Sequence, residues 1–326
     1  MYAEYTRPQL TFLALHPCSR LKYPKIVCRV SELELILEDG EEEGISQPEF
    51  WPVNKSPFYN VPTGARSGYN HVLEVGLLVL SITGGELDLD AYRRVITEKF
   101  GDGTAWQDSY KKRKQGYNPA KRTAWTEPVP GPWIHEAVLH FLQEGEGDVN
   151  NQDMDGFLLS LPHLVFNAEK ENVLEECQKI VELLTRNPKT VSIALVQCRI
   201  LQNVILTGSM DLDKLEPGEG LEFLRDMLEK QNTPHITLVR EFGNNCYVPG
   251  SMVGAIHAVL SSSSYSQAIR LCIRAGGCNC SRSNYSGAIV AAVNGIQDIP
   301  MDWIKKTTDF MDIFTLTCKV SQKMSN

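Results

Sequence analysis

From residue 71 onward the apolar positions recur at helical rather than strand spacing. "HVLEVGLLVLSIT" (71–83) is apolar nearly all round and predicts a central buried helix. "ENVLEECQKIVELLTRN" (171–187) carries apolar residues at 173, 174, 177, 180, 181 and 184, one helical stripe. "TVSIALVQCRILQNVILTG" (190–208) predicts a second deeply buried helix, and "GLEFLRDMLEKQ" (220–231) an amphipathic one. Start and stop signals frame others. "LDLDAYRRVITEKFG" (87–101) has an Asp cap and a terminal Gly, and "GPWIHEAVLHFLQEG" (131–145) a first-turn Pro and a terminal Gly. "PGSMVGAIHAVLSSSS", "SYSQAIRLCIRAGG", "SRSNYSGAIVAAVNGI" and "PMDWIKKTTDFMDIFTLTCKV" complete the C-terminal half. Alternating strands and tandem repeats are absent, and loops are short except around 101–130. The pattern predicts an all-α single domain, packed at varied angles around one or two buried helices.

The first fifty residues are less patterned. "VSELELILEDGEEEG" (31–45) starts with helical spacing and ends in an acidic run of the solvated-turn type. "QPEFWPVNKSPFYNVPTG" (47–64), rich in Pro and aromatics, predicts an ordered loop pinned by buried rings. Across 326 residues the chain is 42% hydrophobic and 22% charged, enough for a sizeable core. A formal charge of −8 gives no general attraction to nucleic acid or an anionic membrane. One basic stretch, "KKRKQGYNPAKR" (111–122), reads as a solvated loop, with anion binding or nuclear localisation as the alternative. No apolar run reaches the roughly 20 residues of a membrane span, and "LTFLAL" (10–15) is short for a signal-peptide core. Nine scattered cysteines suit a reduced, cytoplasmic protein whose thiols are mostly small core residues. Oligomeric state has no signature here.

Three stretches could carry chemistry. In "HEAVLH" the histidines at 135 and 140 are five apart, too far round a helix to share a zinc ion, and His135 reads as a first-turn surface residue. In "NNQDMDGFLL" Asp153 and Asp155 precede an apolar helix, either as ordinary caps or as pocket residues beside Gly156, where a ligand could approach the backbone. In "AGGCNCSRS" Gly276 and Gly277 end a helix and Ser281 or Ser283 begins the next, leaving Cys278 and Cys280 at a helix N-terminus that favours thiolate. Two thiols at this spacing are a weak zinc signal, because a structural site needs four ligands.

"AIRLCIRAGGCNCSRSNYSGAIVAAVNGIQDIPMDWI" (268–304) resembles the C-terminal signature of the ADP-ribosylglycohydrolases. There, Gly-Gly-Asp-x-Asp-Thr/Ser precedes a small-residue helix, a Gly, Ile-Pro and a Trp. "CYVPGSMVGAIHAVLSSSSYSQAIR" (246–270) resembles the helix that family places before it. "GGCNCSR", with Ser56-Pro-Phe-Tyr59, Thr63-Gly64 and Gly131-Pro-Trp133, is most similar to the branch of J-type crystallins and selenoprotein J. The resemblance runs from 48 to 320. It leaves 1–47 as a divergent or truncated segment, in which "LALHPCSRLKY" (13–23) keeps only a Leu-His fragment, and 321–326 as a tail.

The resemblance implies a single-domain orthogonal helical bundle. It also implies a cleft in which active members hold two magnesium ions and cleave an N- or O-glycosidic bond to ADP-ribose. The family's metal positions fall here on Cys278, Cys280 and Ser281. Its second metal motif, Thr-Asp-Asp-Thr, falls on the approach to helix 71–83, where Tyr69, Asn70 and His71 stand. Only the Ser281 hydroxyl is kept, and no carboxylate follows until Glu74. Sulfur does not select magnesium. The expectation is a protein with no cofactor and no magnesium-dependent hydrolysis, in a structural or ligand-binding role. Two alternatives stay open. An ADP-ribose-like ligand could bind at Asp153, Asp155, Gly156, Gly276 and Gly277 and be hydrolysed without the metal pair, or Cys278 and Cys280 could form a redox or zinc site.

Overall fold

A computed structural model describes residues 47–50, 59–114, 129–130, 132–212 and 220–324. The segment 1–46, with its acidic run, and most of the basic stretch 111–122 lie outside these residues. Fourteen α-helices make up the described part: α1 (Gly68–Thr83), α2 (Leu89–Phe100), α3 (Gln107–Lys114), α4 (Glu136–Glu144), α5 (Asp155–Phe166), α6 (Val173–Val181), α7 (Pro188–Thr207), α8 (Leu221–Glu229), α9 (His235–Phe242), α10 (Gly250–Leu260), α11 (Tyr265–Arg274), α12 (Asn279–Asn294), α13 (Met301–Lys305) and α14 (Phe310–Met324). The expectation of no strands needs one amendment. Tyr59–Asn60 pairs in parallel with Val129–Pro130, two residues a side.

Helix α1 is apolar all round because it separates two cores. Tyr69, Leu73, Leu77 and Leu80 face the main cluster, formed largely with α5, α7, α10 and α12. Val72, Val75 and Val79 face a second, formed with α2, α4 and Trp106. Such burial on two sides needs close crossings. A Cβ on Gly76 would stand 2.6 Å from Leu159 O, so glycine is what lets α1 approach α5. A third cluster joins α11, α12 and Trp303. Phe50 packs edge-on against Trp303 at 5.8 Å, and Glu49 takes a bidentate hydrogen-bonded pair from Arg270. That much of the aromatic loop 47–64 is pinned as expected; residues 51–58 lie outside the described ones.

Several boundaries follow the sequence signals. Asp88 accepts from Ala91 N at 2.9 Å to cap α2, Asn187 caps α7 ahead of Pro188, and Ser264 caps α11. Others move. Pro132 precedes α4 by several residues, and His135 is the N-cap. Helix α12 begins at Asn279, two residues before the first serine, with Cys278 at its N-cap. Helix α7 is long and apolar enough to cross a membrane by length and composition, against the expectation from the apolar runs. It is mostly buried in the bundle, packed on α5, α6 and α12, as the core helix of a globular domain also would be.

Two histidines meet inside the bundle. His235 Nδ1 and His257 Nδ1 are 3.0 Å apart in stacked rings, so one must donate while the other accepts. Burial, then the Arg282 cation and His257, pull His235 down to about 3; burial lowers His257 as well. The unfolded chain takes up these protons below a pKa of about 6.5 while the fold excludes them. Their contribution is therefore present above about pH 6.5 and is lost as pH falls, by up to about 1.4 kcal/mol per pH unit for each such histidine. The urea midpoint should drop between pH 7.5 and 5, and His235→Leu should flatten that slope. An unchanged slope in the variant would count against the assignment.

Candidate functional site

The two segments aligned with the family's metal motifs meet where the N-termini of α1 and α12 adjoin. Helix α12 is buried over Asn279–Ala292 without a break, so its polar side chains must find partners within the protein. Asn70 Nδ2 donates to Asn284 Oδ1 at 2.9 Å, and Asn284 Nδ2 donates to Cys280 O at 2.8 Å. This neutral amide bridge ties the two motifs directly together. Ser281 Oγ donates to Cys278 O at 2.9 Å. Cys278 Sγ donates to Tyr69 OH at 3.5 Å, while Cys280 Sγ turns to Asn279 Oδ1 at 3.4 Å. Both cysteines are about 1% exposed.

His71 belongs to a different group. Its ring faces Glu74, which also takes Lys99 Nζ at 2.9 Å and a hydrogen bond from Arg66. Burial alone would raise the Glu74 pKa, but the His71 contact and the two cations hold it well below the usual carboxylate range. Burial, with Arg66 and Lys99 nearby, takes His71 down to about 4 despite Glu74.

The acids of the 150s approach from α5. Asp155 is the first residue of α5 and fully buried, with Oδ1 at 2.7 Å from His135 Nδ1. His135 is thus a half-buried partner of Asp155 and a ring neighbour of Tyr69 (centroids 4.1 Å apart), not a free surface residue. Its ring fills the space a side chain on Gly68 would take. Asp153 lies beside Asp155, and burial followed by the Asp155 charge raises it to about 6. Burial, then the neighbouring Cys246 and Cys278, pushes the Tyr69 phenol far up.

The glycines serve close packing of the chain itself. Gly276 and Gly277 both have positive φ, at 68° and 60°. A Cβ on Gly277 would come within 2.1 Å of Asn244 O, the carbonyl that accepts from Cys278 N at 2.8 Å. At Gly156 the approaching backbone is Val181 O of α6, 2.9 Å from where a Cβ would stand, rather than a ligand. Sequence reasoning missed Arg282, Asn284 and Cys246. Arg282 is fully buried with no carboxylate partner among the described residues, and its guanidinium donates to Asn244 O (2.8 Å), Cys272 O (3.0 Å) and Gly276 O. Burial lowers its pKa. Asn284 lies four residues after Cys280, on the same face, a spacing that could have flagged it. Cys246 had no local signal.

A magnesium pair does not fit the aligned positions. The ion requires hard oxygen donors with negative charge; here stand an uncharged amide whose nitrogen donates to Asn284, a histidine turned to Glu74, two buried sulfurs and a hydroxyl spent on a carbonyl. A shallow depression of about 700 Å³, lined by Ile82, Glu86, Asp88 and Arg93 among others, lies elsewhere on the surface.

The helical architecture and the signature turn before α12 define a protein of the ADP-ribosylglycohydrolase class. A sequence model described as ADP-ribosylglycohydrolase matches residues 70–325, and the chain belongs to that family. It is similar to crystallin J1A of Tripedalia cystophora, 26% identical over 296 residues covering 86% of each chain. Crystallin J1B of the same organism is 25% identical over 297 residues, again 86% of each. A solved structure titled "ADP-ribosylglycohydrolase-related protein complex" shares the fold at a TM-score of 0.60, with 16% identity and 98% of each chain covered.

His135→Ala should leave the buried Asp155 carboxylate without its ring partner and cost about 3 kcal/mol in urea unfolding. Asp155→Asn in that background should recover part of the loss. A cost near zero for the single variant would mean that the pair does not stabilise the fold.

Proposed function

We propose that this protein keeps the ADP-ribosylglycohydrolase fold, has lost magnesium-dependent hydrolysis, and serves a structural, crystallin-like or ligand-binding role in the cytoplasm. The observation that carries the reading is the Asn70–Asn284–Cys280 amide bridge. Where active relatives need carboxylates converging on cations, uncharged side chains stand here, joined by the Asn70–Asn284 hydrogen bond. The printed names of the two relatives, both crystallins, support the structural half of the reading. The donor set at the aligned positions does not suit magnesium-assisted hydrolysis.

A second reading retains an ADP-ribose-like ligand without the metal pair. It is favoured by Asp153 Oδ1 and Asp155 Oδ2, buried oxygens that lack a hydrogen-bond partner among the described residues. Sugar hydroxyls could supply the missing donors. The backbone contacts that fill Gly156 and Gly277 weigh against it, since they occupy the space a ligand would need.

Calorimetry with magnesium and ADP-ribose separates the readings. The natural protein should give no saturable heat with either at millimolar concentration and no cleavage of ADP-ribosyl bonds. Cys278→Asp/Cys280→Asp should gain weak magnesium binding. Magnesium-dependent binding of ADP-ribose by the natural protein would overturn the loss of hydrolysis; binding without magnesium would favour the second reading.

A further inference from the structure

The C-terminal end of α12 is joined to the start of α11 through one carboxylate. Asp298 Oδ2 accepts from Asn294 Nδ2 at 2.7 Å and from Tyr265 N, the first residue of α11, at 2.8 Å. Tyr265 is fully buried and stands edge-on to Trp303, with centroids 6.0 Å apart, so this contact anchors the third core cluster. Asn294 is the last residue of α12, and Gly295 closes the helix, its N donating to Ala291 O at 2.8 Å. Both residues are half-buried. Gly295 has a φ of 81°, a backbone conformation that favours glycine. Among the chain's asparagines only Asn294 is followed by glycine. That pairing matters chemically. A backbone nitrogen meets least hindrance in attacking an asparagine amide when its own residue has no side chain.

We propose that Asn294-Gly295 is a site of spontaneous deamidation which the fold holds back, and that the product uncouples α12 from α11. Gly295 N attacks Asn294 Cγ, the new C–N bond closes a five-membered imide, and the amide nitrogen leaves as ammonia with the Gly295 proton. Water then opens the imide at either carbonyl, giving aspartate or its β-linked isomer. The sum is asparagine plus water to aspartate plus ammonia, with no oxidant or reductant. The folded helix opposes the first step. The ring needs Asn294 Cβ and the Gly295 nitrogen nearly eclipsed about the Cα–C bond, and a helical ψ of about −42° holds them far from it. Gly295 N is committed to Ala291 O, and Asn294 Nδ2 to Asp298. Reaction therefore waits on local opening of the last turn, which costs less than global unfolding. Once formed, the new carboxylate faces Asp298 as a like charge where a donor stood, and the Tyr265 anchor loosens with it. The inference stands on this corner of the bundle and does not depend on whether hydrolysis survives.

The test incubates the full-length protein, beside a synthetic peptide of residues 283–305, in warm, mildly alkaline buffer and follows the tryptic peptide of the same residues by mass spectrometry. Asn284, which precedes Tyr285 in that peptide, is the internal reference. The free peptide should convert at Asn294 and keep Asn284. The folded protein should convert at the same residue at least about tenfold more slowly, to aspartate and isoaspartate, and urea below the unfolding transition should speed it. Asn294→Asp should lower the urea midpoint further than Asn294→Ala, and the extra loss should disappear in an Asp298→Asn background. Conversion of the folded protein at the peptide's rate would overturn the protection. No conversion at Asn294 in sub-denaturing urea, once the peptide is fully converted, would overturn the site itself. An extra loss that is absent, or that persists without the Asp298 charge, would overturn the coupling to α11. The conversion rates come from the natural protein, so they are read even where a variant fails to fold.

Discussion

Helices α1 and α12 meet at their N-termini inside the protein, where water is not available to satisfy polar groups. An unpaired buried amide or hydroxyl costs about 1–3 kcal/mol, so the side chains at this junction are constrained to hydrogen-bond one another. Asn70 donates to Asn284, and Asn284 and Ser281 donate to the Cys280 and Cys278 carbonyls, all without net charge. Much else follows from that enclosure. The double glycine lets the Asn244 carbonyl reach the turn, and that carbonyl in turn helps to hold Arg282. Arg282 passes over Gly254, where a Cβ would stand 2.7 Å from its Cδ, and ends among the carbonyls that close α11. A buried cation held by carbonyls alone is costly, and three oxygens accepting from its two terminal nitrogens offset part of that cost.

The architecture was largely legible in the sequence, because periodicity and caps are local signals. The all-round apolar character of 71–83 foretold a central buried helix, which the structure places between two cores, and the Asp88, Asn187 and Ser264 caps fell where their residue types suggest. The site was legible only as a list of substitutions. Nothing in "GGCNCSRSN" says that the arginine turns inward, since an Arg in sequence reads as exposed. What buries it is a cluster of backbone carbonyls that exists only once α11, its terminal turn and residue 244 are assembled. His135 was misread for the same reason. A first-turn position is exposed on an isolated helix, but here α5 brings Asp155 against it. The start of α12 was set two residues late because serines are good caps, while the Cys278 backbone, held by Asn244, in fact begins the helix.

The exchange of acids for thiols and amides changes what the junction can do. Carboxylates at these positions would repel one another in a buried space unless cations lay between them. Cysteine and asparagine remove that repulsion, and the junction becomes part of the core. Asp153 and Asp155 remain as acids at its edge, one raised in pKa by burial and the other paired to His135.

The most direct measurement is a crystal structure of the natural protein grown with millimolar magnesium and ADP-ribose. The account predicts an intact Asn70–Asn284 hydrogen bond and no ion between α1 and α12. An octahedral ion there, with oxygen ligands at about 2.1 Å and the amide bridge broken, would contradict it.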